Sequence, residues 1–216
     1  MNAIHETEAM RDMEQAAHAN DLARTVFFPV FPVIAHQILE EADIDSGLCL
    51  DIGSGTGHLA IAIATLSNLT VYAMDNSEPM RRIAQATIRR YRLGQRVKTT
   101  PGDVNAIPFG AASMNLVVSR GSFFFWPSLS RGFSECLRVL KPGGVAYIGD
   151  GFGNARLESE VRAQMIERNP AWNSNQRELY LRCNPYTILS ALAAAGIIDY
   201  RIIDDESGFW IAFRKM

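Results

Sequence analysis

Cysteine is scarce: Cys49, Cys136 and Cys183 are the three in 216 residues, and they lie far apart. They show neither a metal-ligand spacing nor a disulfide framework, which points to a reducing cytoplasm. The histidines His5, His18, His36 and His58 form no paired motif such as H-E-x-x-H, so no metal site is expected. No run of lysine and arginine is present and the formal net charge is −2, so no nucleic-acid partner is expected. Arg81-Arg82 and Arg89-Arg90 share one expected helix and read as a solvated face. The amino terminus is polar and acidic, unlike a secretory leader, and no apolar stretch is long enough to span a bilayer. A membrane partner is therefore not expected. Internal repeats and low-complexity tracts are also missing.

What is present is ordinary for a soluble domain. Apolar residues make up 48% of the chain and charged residues 20%, enough to bury one full core. Residues 1–43 read as an N-terminal helical cap segment, and residues 44–216 as the main domain. Within the cap, residues 1–20 suggest a mobile helix and Val33–Glu41 a second one. Pro29 and Pro32 interrupt them. The bulky stretch Val26–Pro32, including Phe28, reads either as a flap over a ligand cleft or as core packing.

From Leu48 strands and helices alternate. Strands are expected at 48–52, 70–74, 97–101, 115–119 and 144–150, and helices at 57–67, 78–93, 128–139 and 155–168. Leu59, Ala62, Ile63 and Leu66 share a helical face, as do Met80, Ile83, Ala84 and Ile88. Such alternation implies a parallel sheet wound by right-handed crossovers. Lys141-Pro142-Gly143-Gly144 reads as a turn launching the fifth strand. A helix over 184–195 begins at Asn184-Pro185, a good cap and first-turn pair. Two strands follow, Ile197–Asp204 and Gly208–Arg214, and their short link demands an antiparallel pair.

The most informative segment is Asp51-Ile52-Gly53-Ser54-Gly55-Thr56-Gly57-His58-Leu59. An apolar strand enters it and an apolar helix leaves it. Glycines let bare backbone approach a ligand, and the helix start presents free N–H groups to an anionic part of it.

Asp51-x-Gly53-x-Gly55-x-Gly57 resembles the first motif of class I S-adenosylmethionine-dependent methyltransferases. Val71–Asp75, Gly102-Asp103-Val104, Asn115–Arg120 and Lys141–Gly144 resemble that family's later motifs in order, over residues 45–216. Ser119–Trp126, Gly149–Gly153 and Gly208-Phe209-Trp210 resemble a narrower set of prokaryotic small-molecule methyltransferases. The resemblance implies a Rossmann-like α/β fold: a mostly parallel seven-stranded sheet, an antiparallel C-terminal hairpin and helices on both faces. It also implies a methyl donor, S-adenosyl-L-methionine, and a small-molecule acceptor, in a monomer or homodimer.

The donor residues implied are Asp51, Gly53, Ser54, Gly55, Thr56, Gly57, Asp75, Asn76, Met80, Gly102, Asp103, Val104 and Arg120. Asp51 can attract the donor's ammonium, Asp75 accept from the ribose hydroxyls, and Asp103 accept from the adenine amine, while Met80 or Met74 flanks the ring. Acceptor-side residues are Phe28, Ser122, Phe125, Trp126, Asp150 and Phe152. The aromatic run after strand four either lines a cavity for an apolar or cationic acceptor or covers the next helix. Arg120 either binds an acidic acceptor or pairs with Asp150.

Aligned methyl transfer is an in-line displacement, so a thiolate, metalloid or free amine needs no base, whereas a hydroxyl acceptor needs one. His36 and His58 are the nearest bases, and packing is the favoured role for both. The Asn/Asp-Pro-Pro-aromatic signature of base-modifying enzymes is missing after strand four, which argues against a nucleic-acid base as acceptor. Two alternatives remain: a non-catalytic binder of the same donor, and a nicotinamide-dependent reductase. The reductase is disfavoured because His58 stands where its third glycine would be.

Overall fold

The computed structural model describes residues 2–216. Two helices come first, α1 (Asn2–Thr25) and α2 (Val30–Ala42). The wound region follows: β1 (Ser46–Ile52), α3 (His58–Leu66), β2 (Asn68–Asp75), α4 (Glu78–Arg90), β3 (Val97–Pro101), then, with no helix between, β4 (Met114–Arg120), α5 (Leu129–Val139) and β5 (Leu140–Asp150). The chain ends with α6 (Ala155–Arg168), α7 (Trp172–Arg182), α8 (Pro185–Ala194), β6 (Tyr200–Asp205) and β7 (Gly208–Arg214). The strands form one sheet in the order β3-β2-β1-β4-β5-β7-β6. β1 to β5 are parallel, and β7 runs antiparallel to both β5 and β6.

Period-two alternation explains the two cores. Cys49, Leu116 and Val118 face one side of the sheet, with Ile34 and Ile38 of α2 and Ile63 of α3. Leu50, Ile52 and Val117 face the other, with Phe133 of α5 and Ile188 and Leu192 of α8. Both faces are covered, so the central strands read as continuous apolar runs. No single helix among the described residues is long and apolar enough to cross a membrane.

Several boundaries differ from expectation. α2 begins at Val30 and carries Pro32 in its first turn, where a missing N–H costs nothing. Lys141–Gly144 lies inside β5, which opens at Leu140 and shifts register against β4 there. β6 starts at Tyr200 rather than Ile197, because Gly196 turns the chain at φ +74° and the exposed Ile198 lies outside the strand pairing. α7 was not expected. Its apolar residues Trp172, Leu179 and Tyr180 recur too sparsely to mark a helical face.

Of the two readings of Val26–Pro32, packing is the one realised, although Phe28 stays exposed. Val26 and Val30 are buried in the core, and Phe31 stacks on His58 at 5.3 Å. Phe27 stacks on Phe152 at 6.4 Å. The cleft at the carboxyl ends of the strands is instead reached by Gln15 of α1.

Candidate functional site

β1 and β4 are neighbours, yet β2 and β3 extend the sheet one way and β4 and β5 the other. Ligands of wound α/β sheets bind at such a switch, beyond the carboxyl ends of the strands. A cleft of about 520 Å³ lies there. It is lined by Gly53 and Gly55 after β1, Asp75 at the end of β2 and Met80 beyond it, Gly102 to Val104 beyond β3, and Ser122, Phe125 and Trp126 beyond β4.

The loop after β1 is shaped by three glycines in the left-handed region, at φ +66° (Gly53), +52° (Gly55) and +81° (Gly57). At Gly53 glycine is required twice over, since a Cβ would also stand 2.4 Å from Cβ of Ser122. At Gly55 the space where a Cβ would project is open. The loop is pinned from outside: the Gly55 N–H donates to Oδ2 of Asp75 at 2.8 Å, and the Ser54 N–H donates to the Met74 carbonyl at 3.0 Å. Oδ1 of Asp75 accepts from the Ser77 N–H at 2.8 Å. Each carboxylate oxygen keeps a further lone pair for a ligand hydroxyl.

Two buried polar atoms at this loop have no hydrogen-bond partner: Oδ2 of Asp51 and Oγ of Ser54. Burial, and then the neighbouring Asp75 charge, push the Asp51 carboxyl from 3.8 to about 8, although the Ala60 N–H opposes this. A buried carboxyl left unsatisfied costs stability, so its retention points to a ligand group that completes it.

Ser122 joins the loops. Its Oγ donates to the Ile52 carbonyl at 3.1 Å, accepts from Nε1 of Trp126 at 3.1 Å, and lies 2.6 Å from Oγ of Ser119. The Trp126 indole seats against Gly132 of α5, where a Cβ would come within 2.5 Å of the ring. Phe125 is 64% exposed at the mouth of the cleft, whereas Phe123 and Phe124 are buried. The aromatic run therefore serves both expected roles, two rings filling the core and two bordering the cleft.

Other expected residues lie elsewhere. Thr56 turns away, with Oγ1 2.9 Å from Nδ1 of His58. Phe28 is exposed on a separate groove shared with His58. Arg120 does not line the cleft. It donates through Nε and Nη2 to the Gly151 carbonyl at 3.0 and 2.9 Å, and Nη2 lies 3.8 Å from Oδ1 of Asp150. Phe27, Phe31 and Phe152 surround its guanidinium within 6.0 Å. The internal pair with Asp150 is thus realised. Asp150 is buried, which raises its pKa against the lowering effect of Arg120, and Oδ2 accepts from the Tyr180 hydroxyl at 3.4 Å.

Of the two histidines, His58 is packed and His36 is not. Burial and then Arg24 lower His58 to about 4, so it is neutral at pH 7. His36 is exposed beside Glu40 at 3.7 Å, because its position on α2 turns away from the buried face of Ile34, Ala35 and Ile38.

The Glu135–Arg138 pair escaped sequence reasoning. Glu135 accepts from the Ile107 N–H at 2.8 Å and pairs with Nε of Arg138 at 2.7 Å. Arg138 donates to the carbonyls of Ile107 and Phe109 at 2.9 and 2.8 Å. Together they hold the loop that carries Asp103. Oδ1 of Asp103 accepts from the Asn105 N–H at 2.8 Å, closing the turn locally.

Fold and site define the class: a doubly wound α/β protein with a ligand cleft at the strand-order switch. A family profile described as a methyltransferase domain matches residues 50–148. A crystal structure of a provisionally assigned S-adenosyl-L-methionine-dependent methyltransferase from Methanococcus maripaludis superposes with a TM-score of 0.91. The two are 39% identical, over 94% of this chain and 93% of that one. Malonyl-[acyl-carrier protein] O-methyltransferase of Methylococcus capsulatus is 36% identical over 115 residues, 52% of this chain and 40% of the relative. Demethylmenaquinone methyltransferase of Chlorobaculum parvum is 31% identical over 132 residues, 61% of this chain and 45% of the relative. The match thus spans less than half the length of these two curated relatives. The chain belongs to the S-adenosylmethionine-dependent methyltransferases. The nicotinamide reading is not favoured by these likenesses.

The residues present fit that family's donor. Asp51 offers a buried, unsatisfied oxygen to a cationic amino group. Open space fronts Gly55, and the Asp75 carboxylate stands on the same cleft.

Proposed function

We propose that this chain transfers a methyl group from S-adenosylmethionine to a small-molecule acceptor. The observation that carries the proposal is the unpartnered Oδ2 of Asp51 beside a glycine loop locked by Asp75. S-adenosylmethionine supplies an electrophilic methyl group on a sulfonium. The chain supplies placement: Asp51 and the Gly53–Gly57 backbone hold the amino acid end, Asp75 the ribose, and Met80, Asp103 and Val104 the adenine end. Met74, buried beneath Gly102, supports that wall. Phe125 and Trp126 border the acceptor side and exclude water, which favours in-line displacement.

The curated relatives support a small acceptor, since their names include a sterol 24-C-methyltransferase and an erythromycin 3''-O-methyltransferase. The low net charge supports an acceptor other than nucleic acid, and three cysteines in no recognisable framework support a reducing, cytoplasmic setting. A monomer or homodimer completes the reading.

Donor labelled in its methyl group, incubated with the chain and a small-molecule extract, is expected to give labelled low-mass product. Label appearing only in macromolecules, or no transfer beyond a protein-free control, would count against the proposal. Asp75→Ala is expected to weaken S-adenosylhomocysteine binding by roughly 1–3 kcal/mol, the scale for losing a charged hydrogen-bond partner. Calorimetry showing unchanged affinity would remove Asp75 from the site.

A further inference from the structure

A second recess lies behind the glycine loop, between α1, α3 and α4. One part, about 440 Å³, is bordered by Asn20 and Arg24 of α1 and by Thr87 and Arg90 of α4. A second part, about 230 Å³, is walled almost wholly by apolar groups, including Phe28, Phe31, Ile61 and Leu66. Phe28, His58 and Tyr91 border both parts, so they form one continuous groove. None of the residues lining it also lines the donor cleft.

Its two ends differ chemically. At the polar end, Arg24 and Arg90 are exposed, and neither has a hydrogen bond or ion pair among the described residues. Oδ1 of Asn20 is buried there and has no hydrogen-bond donor among the described residues. Such an atom calls for a donor. At the apolar end, Phe28 and Leu66 are each 47% exposed and Tyr91 43%, large side chains left uncovered in one trough. His58 stands at the junction, stacked on Phe31 and hydrogen-bonded to Thr56 of the glycine loop.

We propose that this groove is a second binding site, for a small amphipathic acid. Its anionic head lies between Arg24 and Arg90, a hydroxyl or amide N–H beside the head satisfies Asn20, and its apolar body lies against Phe28, Phe31 and Leu66. Guanidinium groups suit a carboxylate or phosphate through paired N–H donors. A preformed recess with an apolar wall and a few convergent polar groups is the usual form of a small-molecule site. The site is separate from methyl transfer and does not rest on the acceptor assignment.

N-decanoylglycine carries all three features and serves as the probe, below its aggregation concentration. Calorimetric titration of the full chain is expected to show saturable binding of one molecule. Decylamine, with the opposite charge, and N-acetylglycine, without the tail, are expected to bind at least roughly tenfold more weakly. The double variant R24Q/R90Q changes two exposed side chains and is expected to melt as the parent does. It should lose roughly tenfold or more in N-decanoylglycine affinity, with S-adenosylhomocysteine titration unchanged. The proposal is overturned by absent saturation, by equal binding of decylamine, or by full probe affinity in the double variant. A parallel change in S-adenosylhomocysteine titration would overturn the separation of the two sites.

Discussion

Asp51→Asn should make the empty protein more stable and its donor complex weaker. The Asp51 carboxyl is buried, one oxygen has no partner, and burial together with Asp75 raises it from 3.8 to about 8. In the unfolded chain this group ionises near its ordinary value. In the folded chain it holds its proton to about pH 8. Between these limits the unfolded state binds fewer protons than the folded state, so stability falls as pH rises through the window. The slope reaches at most about 1.4 kcal/mol per pH unit and vanishes above the upper limit. Asparagine removes that slope, and thermal melts from pH 5 to 8, roughly the window of the shift, will show it.

Donor binding should move in the opposite direction. A cationic amino group beside Asp51 favours the ionised carboxylate, so binding near pH 7 should release protons. Calorimetry in buffers of different ionisation enthalpy measures that release directly. Asp51→Asn should abolish it and weaken S-adenosylhomocysteine by roughly 1–3 kcal/mol. A variant that is destabilised and binds the ligand normally would make Asp51 a structural residue only. The trade of stability for a binding group is common at functional sites.

Gly53→Ala should damage the cleft most among single methyl additions. Two costs combine: a left-handed φ of +66°, and a Cβ 2.4 Å from Cβ and 2.5 Å from Oγ of Ser122. The first costs roughly 1–2 kcal/mol and the second roughly 1–3 kcal/mol. The clash involves only the Ser122 side chain, since its Cα is 3.9 Å away. Ser122→Gly in the Gly53→Ala background should therefore restore the packing part of the loss and leave the backbone part. Alone, Ser122→Gly should be harmful, because Oγ bonds the Ile52 carbonyl and the Trp126 indole. The double variant should then be less impaired than the sum of the singles, in both melting temperature and S-adenosylhomocysteine affinity. Strict additivity would show that the two side chains do not meet.

The wound sheet was legible because its signals are local. Apolar runs such as Leu48–Leu50 and Val71–Met74, each followed by a helical apolar face, specify strand and helix within a few residues. Asp51, the three glycines and Asp75 stand out for the same reason: they sit at strand ends and in a turn at positive φ, where glycine is favoured. What could not be read depends on meetings across the chain. Arg120 read as a ligand group or as the partner of Asp150, and only the fold shows Phe27 from the α1–α2 connection, Phe31 of α2 and Phe152 after β5 closing around it. Gly132 sits inside α5 with no local signal of its role, and only the fold shows the Trp126 ring filling the place of its Cβ. Helix α7 lacks a continuous apolar face, because it rests mainly on Trp172, Leu179 and Tyr180. Val26–Pro32 read equally as a flap or as core packing, because a bulky apolar segment must pack on something and sequence alone does not say on what. Val30 is buried in the core, Phe27 stacks on Phe152 and Phe31 on His58, while Phe28 stays exposed on the second groove.

The most direct measurement is a crystal structure grown or soaked with S-adenosylhomocysteine. Ligand density is expected along Gly53–Gly57, with the amino group at Asp51, the ribose hydroxyls on Asp75 and the adenine beside Asp103 and Val104. A ligand bound elsewhere, or that crevice filled by side chains in the presence of saturating ligand, would contradict it.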